Sequence, residues 1–214
     1  RKVKISLNLV KKLSKISKKN KIDFCVTPFD PQYVKQINKY VKFFKVASGD
    51  INNFELLREI AKTKKKVVIS TGMSNIKEIT KAISFFPRKN IILLHCISCY
   101  PTKFKDSNLI NIQNLKNKFK LEVGYSDHTK DHLAAVAAIS MGASVIEKHI
   151  TLNNNLTGPD HKASLKPKDF INFCKILRET KIMLGNGIKK ISKGEKENIK
   201  FARKSIVAKK KILS

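Results

Sequence analysis

The chain has few acidic residues and no tryptophan, and its charge is strongly one-sided. Lysine and arginine number 45 against 16 aspartates and glutamates, which gives a formal net charge of +29 over 214 residues. Such a positive field is typical of proteins that bind nucleic acid. The lysines, however, are spread over nearly all the predicted helices and turns, without interleaved aromatics or a nucleic-acid motif. We therefore expect no specific nucleic-acid partner, and we expect the field to steer a small anionic substrate.

Long apolar runs are also missing. A helix that spans a membrane needs about 20 consecutive apolar residues, and no run in the chain approaches this length. The apolar fraction of 42% is ordinary for a folded chain, and 214 residues suffice for one sizeable core. We expect a folded cytoplasmic protein without a membrane partner.

Cysteine is scarce as well, with Cys25, Cys96, Cys99 and Cys174 as its four positions. Cys96 and Cys99 have the C-x-x-C spacing, but no second pair is present to complete a structural zinc site. A redox pair is one alternative. Reduced thiols, at a strand end and in the loop that follows, fit a cytoplasmic protein better.

What the chain does contain is a repeated alternation of apolar runs and helical patterns, after an amphipathic helix predicted over residues 4–18. The predicted strands are 23–26, 43–46, 67–69, 91–94, a run that ends at 123, and 145–146. They are continuous apolar or β-branched runs, which is typical of parallel strands buried on both faces. Strands that alternate with helices predict an α/β fold, either a doubly wound sheet or a barrel. A closed (β/α)8 barrel needs two more strands, which we expect upstream of residue 1.

The end of the chain has a different composition. Residues 185–201 are rich in glycine and lysine, which predicts a linker. Residues 202–214 are expected to begin another module, with a strand at Ser205–Ala208. The segment 1–184 would then be a partial barrel domain.

Two histidines follow neighbouring predicted strands. His128 and His149 lie about twenty residues apart, the interval that a strand, a helix and a return strand need. Both therefore stand at the same end of adjacent parallel strands, where barrel proteins build their active sites. Two imidazoles leave coordination positions for water and substrate, so we predict a catalytic divalent ion such as Mn²⁺ rather than a closed zinc site.

Other polar residues follow the strands in the same way. They are Thr27, Lys45, Ser48, Ser70, Thr71, Ser98, Ser126, His128, Glu147 and His149. Several hydroxyls and one lysine at a common mouth predict a cradle for phosphate or carboxylate. Two alternatives stay open: Lys45 as a Schiff-base lysine, and the serines at 48, 70 and 126 as helix N-caps. His95 also ends a strand, where core packing explains it as well as function does.

Seven stretches, in this order, resemble the sialic acid synthase family, whose members make N-acetylneuraminate and related nonulosonic acids. They are 27–30 (TPFD), 44–50 (FKVASGD), 70–73 (STGM), 95–101 (HCISCYP), 124–129 (GYSDHT), 147–149 (EKH) and 158–164 (GPDHKAS). The resemblance implies a (β/α)8 TIM barrel, here a fragment with about six βα units. It also implies that the module from residue 202 is the start of a truncated antifreeze-like (SAF) domain.

The family joins phosphoenolpyruvate to an N-acyl aldose such as N-acetylmannosamine and releases phosphate. The resemblance thus implies a carbon–carbon bond-forming transferase, with Mn²⁺ or Mg²⁺ held by His128 and His149. It assigns phosphoenolpyruvate binding to Thr27, Lys45, Ser48, Ser70, Ser98 and Ser126. It assigns contacts with the sugar or proton transfer to Glu147, Asp160 and Tyr100.

The acceptor sugar and the assembly are expectations of the same kind. The GPDHKAS loop favours the neuraminic and legionaminic branches of the family over the pseudaminic branch. We expect a homodimer at full length and an inactive isolated fragment. Three other interpretations stay open: a related barrel aldolase or condensing enzyme with another acceptor, a non-catalytic basic binding protein, and a degenerate remnant.

Overall fold

A computed structural model describes residues 5–212 of the chain. The chain divides into two compact units, Arg1–Ile182 and Met183–Ser214. The first unit contains the sheet and all residues predicted for the site. No helix within residues 5–212 is both long and apolar enough to cross a membrane.

The first unit is built on one sheet of six parallel strands in sequential order. The strands are β1 Cys25–Val26, β2 Phe43–Val46, β3 Val67–Ser70, β4 Ile91–Cys96, β5 Glu122–Asp127 and β6 Ile146–Lys148. Each strand pairs in parallel with the next along the chain. The predicted all-parallel α/β arrangement is confirmed.

The sheet is strongly curved. Lys45 on β2 and Glu147 on β6 are four strand positions apart, which in a flat sheet means about 19 Å at the usual strand spacing. Their side chains nevertheless meet, with Lys45 Nζ 3.2 Å from Glu147 Oε2. The six strands therefore form part of a barrel wall and not the flat sheet of a doubly wound fold. Closure into eight strands stays a prediction.

The helices are α1 Leu7–Lys19, α2 Pro31–Ile37, α3 Phe54–Lys62, α4 Ile76–Ile83, α5 Asn111–Phe119, α6 Leu133–Ser140, α7 Pro167–Met183 and α8 Lys193–Ala202. Helices α2 to α6 each connect two successive strands and pack against the sheet, whereas α8 belongs to the second unit. A capping box precedes α4, because Asn75 Oδ1 accepts from the Glu78 amide and the Glu78 carboxylate accepts from the Asn75 amide. This cap fixes where α4 begins after β3.

Alternation along the strands separates the core from the cavity. Phe44, Val46, Ile69, Leu93 and Val123 belong to the hydrophobic core between sheet and helices. The residues between them, with the opposite parity, point to the inside of the curved sheet. The polar strand residues that face inward can therefore be buried without interrupting the apolar core.

The first helix is predicted from the helical spacing of Ile5, Leu9, Leu13 and Ile16, but the structure buries a different face. The structure confirms a helix, from Leu7 to Lys19, while residue 4 lies outside the described residues. Ile5, Leu9 and Ile16 are exposed, and Val10 is the fully buried residue. The apolar spacing identified the helix correctly but not its contacts.

The second unit also departs from the prediction. Its helix α8 overlaps the segment predicted as a linker and ends one residue beyond it, at Ala202, with Ser192 and Glu195 forming a capping box. Ser205–Ala208, predicted as a strand, has no regular secondary structure, so that prediction was wrong. The boundaries of the linker and of an antifreeze-like domain stay predictions.

Candidate active site

The carboxyl ends of all six strands surround one cavity of about 570 Å³. Its lining includes the predicted residues Thr27, Lys45, Ser48, Ser70, Ser98, Tyr100, Ser126, His128, Glu147 and His149. Asp160 is not part of this lining and is half-exposed, yet its Oδ2 lies 4.0 Å from His149 Nδ1. Thr71 turns away, because its hydroxyl donates to the Leu94 carbonyl. The structure thus gathers the predicted residues, with Asp160 at the edge and Thr71 outside.

One side of the cavity is organised around a buried lysine. Lys45 is 9% exposed, and its ammonium pairs with Glu147. The other carboxylate oxygen of Glu147 accepts a hydrogen bond from Ser126 Oγ at 2.6 Å. A buried ammonium needs an anion to offset its lost hydration. Lys45 and Ser126 therefore hold a carboxylate already and have the chemistry to hold an anionic ligand.

Small hydroxyl residues form the floor next to Lys45. The Gly72 amide donates to Ser48 Oγ at 3.1 Å. A methyl group at position 72 would lie 2.4 Å from Ser98 Oγ and 2.8 Å from Ser48 Oγ, so glycine allows these hydroxyls to approach the backbone. Ser70 Oγ is buried and has no hydrogen-bond partner among residues 5–212. A buried unpaired hydroxyl is costly, so Ser70 indicates a missing ligand or water.

The alternative role of these serines as helix caps is not borne out. Helices α3, α4 and α6 begin after Asn53, Asn75 and His132 respectively. The hydroxyls at 48, 70 and 126 are thus not used by the helices, and they remain available to the cavity.

The two histidines form the other side of the cavity, with ring centroids 5.4 Å apart. His128 Nδ1 lies 2.8 Å from the Ile97 carbonyl. Since a carbonyl only accepts, we assign the proton of neutral His128 to Nδ1, which leaves Nε2 as an acceptor. Ser126 Oγ lies 3.3 Å from this Nε2 and donates to Glu147. Burial lowers the pKa of both histidines, although the Ile97 carbonyl opposes this at His128 and Asp160 opposes it at His149. The neutral form, which binds metals, is therefore favoured.

Tyr100 packs against both imidazoles. Its ring centroid lies 4.1 Å from that of His128 and 5.6 Å from that of His149, the second contact being edge-on. Burial, with a smaller contribution from nearby negative charge, raises the pKa of Tyr100 to about 12. The phenol therefore stays protonated at neutral pH and can donate a hydrogen bond to a substrate oxygen.

The donor set fits a catalytic metal better than a structural one. Within residues 5–212, no three His, Cys, Asp or Glu side chains form a group that could hold an ion. Two neutral imidazoles on a polar cavity suit an ion whose other positions are taken by water and substrate oxygens. A closed zinc site does not fit these residues. Metal binding by His128 and His149 stays a prediction.

Two other predictions concern the strand β4. His95 Nε2 bonds to the Ser107 carbonyl at 2.8 Å, and its ring stacks on Tyr125 in the core, so His95 is structural. Cys96 lines the cavity, whereas Cys99 Sγ contacts the Pro101 carbonyl. All four cysteines are free thiols in this structure, which gives the redox alternative no support.

The sequence analysis missed a buried ion pair next to the histidines. Lys148 Nζ lies 2.9 Å from Asp127 Oδ2, and both side chains are almost completely buried. The sequence could have predicted this pair, because successive side chains of a strand point to opposite faces of the sheet. A charged residue directly before an inward-facing histidine therefore points outward, toward the helices. There it needs a partner of opposite charge.

Comparison with known proteins gives a consistent result. A family model described as the NeuB family matches residues 1–189. The N,N'-diacetyllegionaminic acid synthase of Campylobacter jejuni is 46% identical, over 99% of this chain and 65% of its own length. The N-acetylneuraminate-9-phosphate synthase of Mus musculus is 33% identical, over 99% of this chain and 60% of its own length. The chain thus spans less than two thirds of these curated relatives.

Solved structures agree with these matches. The crystal structure of an N-acetylneuraminic acid synthetase from Leptospira borgpetersenii, in complex with citrate, has a TM-score of 0.85 and 35% identity over 92% of this chain and 70% of that chain. A truncated 3-deoxy-D-arabino-heptulosonate 7-phosphate synthase from Thermotoga maritima has a TM-score of 0.74 at 17% identity, over 87% of this chain and 76% of that chain. The second likeness concerns the fold alone.

Proposed function

The chain belongs to the NeuB family of sialic acid synthases, and on this basis we propose that it carries the catalytic pocket of a synthase. The reaction condenses phosphoenolpyruvate with an N-acyl aldose and releases phosphate. One observation carries the proposal: a single cavity combines a buried lysine among hydroxyls with two neutral imidazoles. An anion and a carbonyl oxygen can therefore be bound side by side.

Phosphoenolpyruvate binds on the lysine side of the cavity. Its phosphate and carboxylate replace the carboxylate of Glu147 as the partner of Lys45 and Ser126. The unpaired hydroxyl of Ser70 gains an acceptor at the same time. The remaining contacts come from Thr27, Ser48 and Ser98. Charge-assisted hydrogen bonds of this kind are the strong ones in protein sites.

The acceptor sugar binds on the histidine side. His128 and His149 would hold the divalent ion, which when bound supplies Lewis-acid polarisation of the aldehyde oxygen. The protonated phenol of Tyr100 donates a hydrogen bond to an oxygen of the sugar. Asp160 beside His149, and Glu147 once released from Lys45, accept hydroxyl hydrogens of the sugar and exchange protons with it.

The bond changes follow from the substrates. The electron pair of the C2=C3 double bond of phosphoenolpyruvate forms the new bond between C3 and the aldehyde carbon, and the aldehyde oxygen takes up a proton to become a hydroxyl. Water adds at C2 and releases a proton, and the bond between C2 and the phosphate oxygen then breaks, which leaves the keto group and inorganic phosphate. The chain contributes orientation of the two substrates, which is a large part of such a rate enhancement.

N-acetylmannosamine is the first candidate acceptor, and a diacetamido sugar is the second. The relatives in Campylobacter jejuni and Legionella pneumophila, at 46% and 38% identity, are both named N,N'-diacetyllegionaminic acid synthase. This observation favours testing both sugars in parallel.

The test is a mass-spectrometric product assay on the natural protein that contains this chain. Phosphoenolpyruvate, Mn²⁺ and each acceptor are supplied, with EDTA and the His149→Asn variant as controls. We expect a nine-carbon acid from one acceptor, together with an equal amount of phosphate, and loss of both in the controls. Phosphate release without a carbon–carbon product, or no turnover by the folded protein, would contradict the proposal.

A further inference from the structure

The ion pair between Asp127 and Lys148 occupies the last rung of pairing between β5 and β6. The two residues are direct partners in the register, after the Tyr125–Ile146 and Ser126–Glu147 pairs. Their side chains are 0% and 1% exposed. The next residue on each strand is a histidine of the cavity.

The pair is also tied to the loop after β5. Lys148 Nζ donates to the carbonyls of Thr129 and Asp131 and lies 5.7 Å from the centroid of the Phe173 ring. Asp127 Oδ1 accepts from both the amide and the hydroxyl of Thr129 at 2.8 Å. One lysine therefore joins the end of β6, the end of β5, the loop that follows His128, and helix α7.

Stability alone gives a poor account of this arrangement. Removing two charges from water costs about as much as their attraction returns, so an apolar pair of similar size is often equally stable or more so. What an ion pair with several hydrogen bonds adds is a single defined geometry. The β5–β6 pairing is only three residues long, and the carbonyls of His128 and His149 accept from the amides of Thr102 and Leu165, which belong to other segments. The ion pair adds a buried link directly between the two strand ends.

We propose that the Asp127–Lys148 pair is a positioning device for the two histidines. By fixing the ends of β5 and β6 and the loop after His128, the pair holds both imidazoles toward one point in the cavity. Both charged side chains are almost completely buried, although Lys148 is one of the residues that line the cavity, and they act through the histidines rather than on the substrates. The inference rests on the proposed function, because the benefit of this geometry is a metal held between His128 and His149.

The experiment compares three forms of the natural protein that contains this chain: wild type, the double variant Asp127→Asn/Lys148→Met, and Lys65→Met. The double variant removes both charges and keeps a side-chain oxygen for the Thr129 contacts. Lys65 also donates to two backbone carbonyls, those of Asn38 and Val41, and is remote from the cavity lining. It therefore controls for the loss of a hydrogen-bonded lysine.

Two properties are measured on each form. Mn²⁺ affinity is determined by electron paramagnetic resonance, and the melting temperature by calorimetry. We expect a 10–100-fold loss of Mn²⁺ affinity in the double variant, by analogy with the loss of groups that orient metal ligands through hydrogen bonds. Lys65→Met should keep wild-type affinity even where its melting temperature falls. Wild-type affinity in a folded double variant would overturn the inference.

A second readout separates this inference from the proposed metal. If wild type binds no Mn²⁺, the metal proposal fails, and nuclear Overhauser contacts between the rings of Tyr100, His128 and His149 decide the positioning role. Loss of these contacts in the double variant supports the positioning role, and their persistence overturns it.

If the double variant does not fold, Lys148→Arg replaces it, since the larger group keeps the charge but shifts the strand ends. Unchanged Mn²⁺ affinity in that variant, or unchanged ring contacts if wild type binds no Mn²⁺, would count against the inference.

Discussion

The ring of Tyr100 lies on the imidazole of His128, with 4.1 Å between the centroids. Tyr100 comes from the loop after β4, whereas the two histidines follow β5 and β6. Two hydrogen bonds join the loop that carries Tyr100 to His128. The Thr102 amide donates to the His128 carbonyl, and the Ile97 carbonyl accepts from the His128 ring. Three neighbouring βα connections thus meet around the proposed metal ligands.

Mn²⁺ should stabilise the chain through these histidines. A ligand at 100 times its dissociation constant adds about 2.7 kcal/mol to the free energy of unfolding, so the melting temperature should rise with Mn²⁺ and return with EDTA. In His149→Asn the rise should be lost, while His132→Asn, at the start of α6, should behave as wild type. Equal stabilisation of all three proteins would place the metal elsewhere.

Replacing Lys45 by methionine should weaken phosphoenolpyruvate binding by about 10–100-fold. The basis is the loss of a charge-assisted hydrogen bond in a buried site, worth about 1.5–3 kcal/mol. Isothermal titration calorimetry measures this directly, with Lys65→Met as the control. In the free protein Glu147 would also lose its ammonium partner but keep the hydrogen bond from Ser126. If Lys45→Met keeps its affinity for phosphoenolpyruvate, the lysine does not contribute to binding.

Gly72→Ala should disrupt the hydroxyl floor with little effect on folding. The added methyl group forces the hydroxyls of Ser48 and Ser98 to rotate away, because it would otherwise lie within 2.8 Å of both. We expect at least a tenfold loss of phosphoenolpyruvate affinity and a melting temperature close to wild type. Gly194→Ala, where nothing lies within 4 Å of the new methyl group, is the matched control. Unchanged affinity in Gly72→Ala would show that the floor does not bind the ligand.

His95 should make the fold sensitive to acid. Burial lowers the pKa of His95 below its usual value of 6.5, and the bond to the Ser107 carbonyl opposes this shift only in part. The unfolded chain therefore binds a proton at a higher pH than the folded chain, so the free energy of unfolding falls as pH decreases below about 6.5.

The variant His95→Gln isolates this contribution. Its amide can still donate to Ser107, but it does not titrate, while His128 and His149 add the same acid sensitivity to both proteins. Urea unfolding at pH 7 and pH 5 should show a smaller loss of stability in the variant than in wild type. Equal losses would mean that His95 is not the titrating group.

The amino-acid sequence by itself determined the six parallel strands and the residues at their ends. Continuous apolar runs and helix caps are local features, and they depend on little beyond neighbouring residues. Because parallel strands share one direction, the residues after each strand had to lie at one edge of the sheet. For this reason nine of the ten polar residues predicted at the strand ends line the cavity, whereas other lining residues, such as Phe29 and Met73, were not predicted.

The tertiary structure decided what depends on partners distant in the chain. Curvature of the sheet brought Lys45 to Glu147, left Ser70 unpaired and placed Asp160 at the edge of the cavity. The pairing of Asp127 with Lys148 likewise required the register of β5 against β6. Local propensity also failed at Ser205–Ala208, because a strand needs a hydrogen-bonding partner that no short segment can supply for itself.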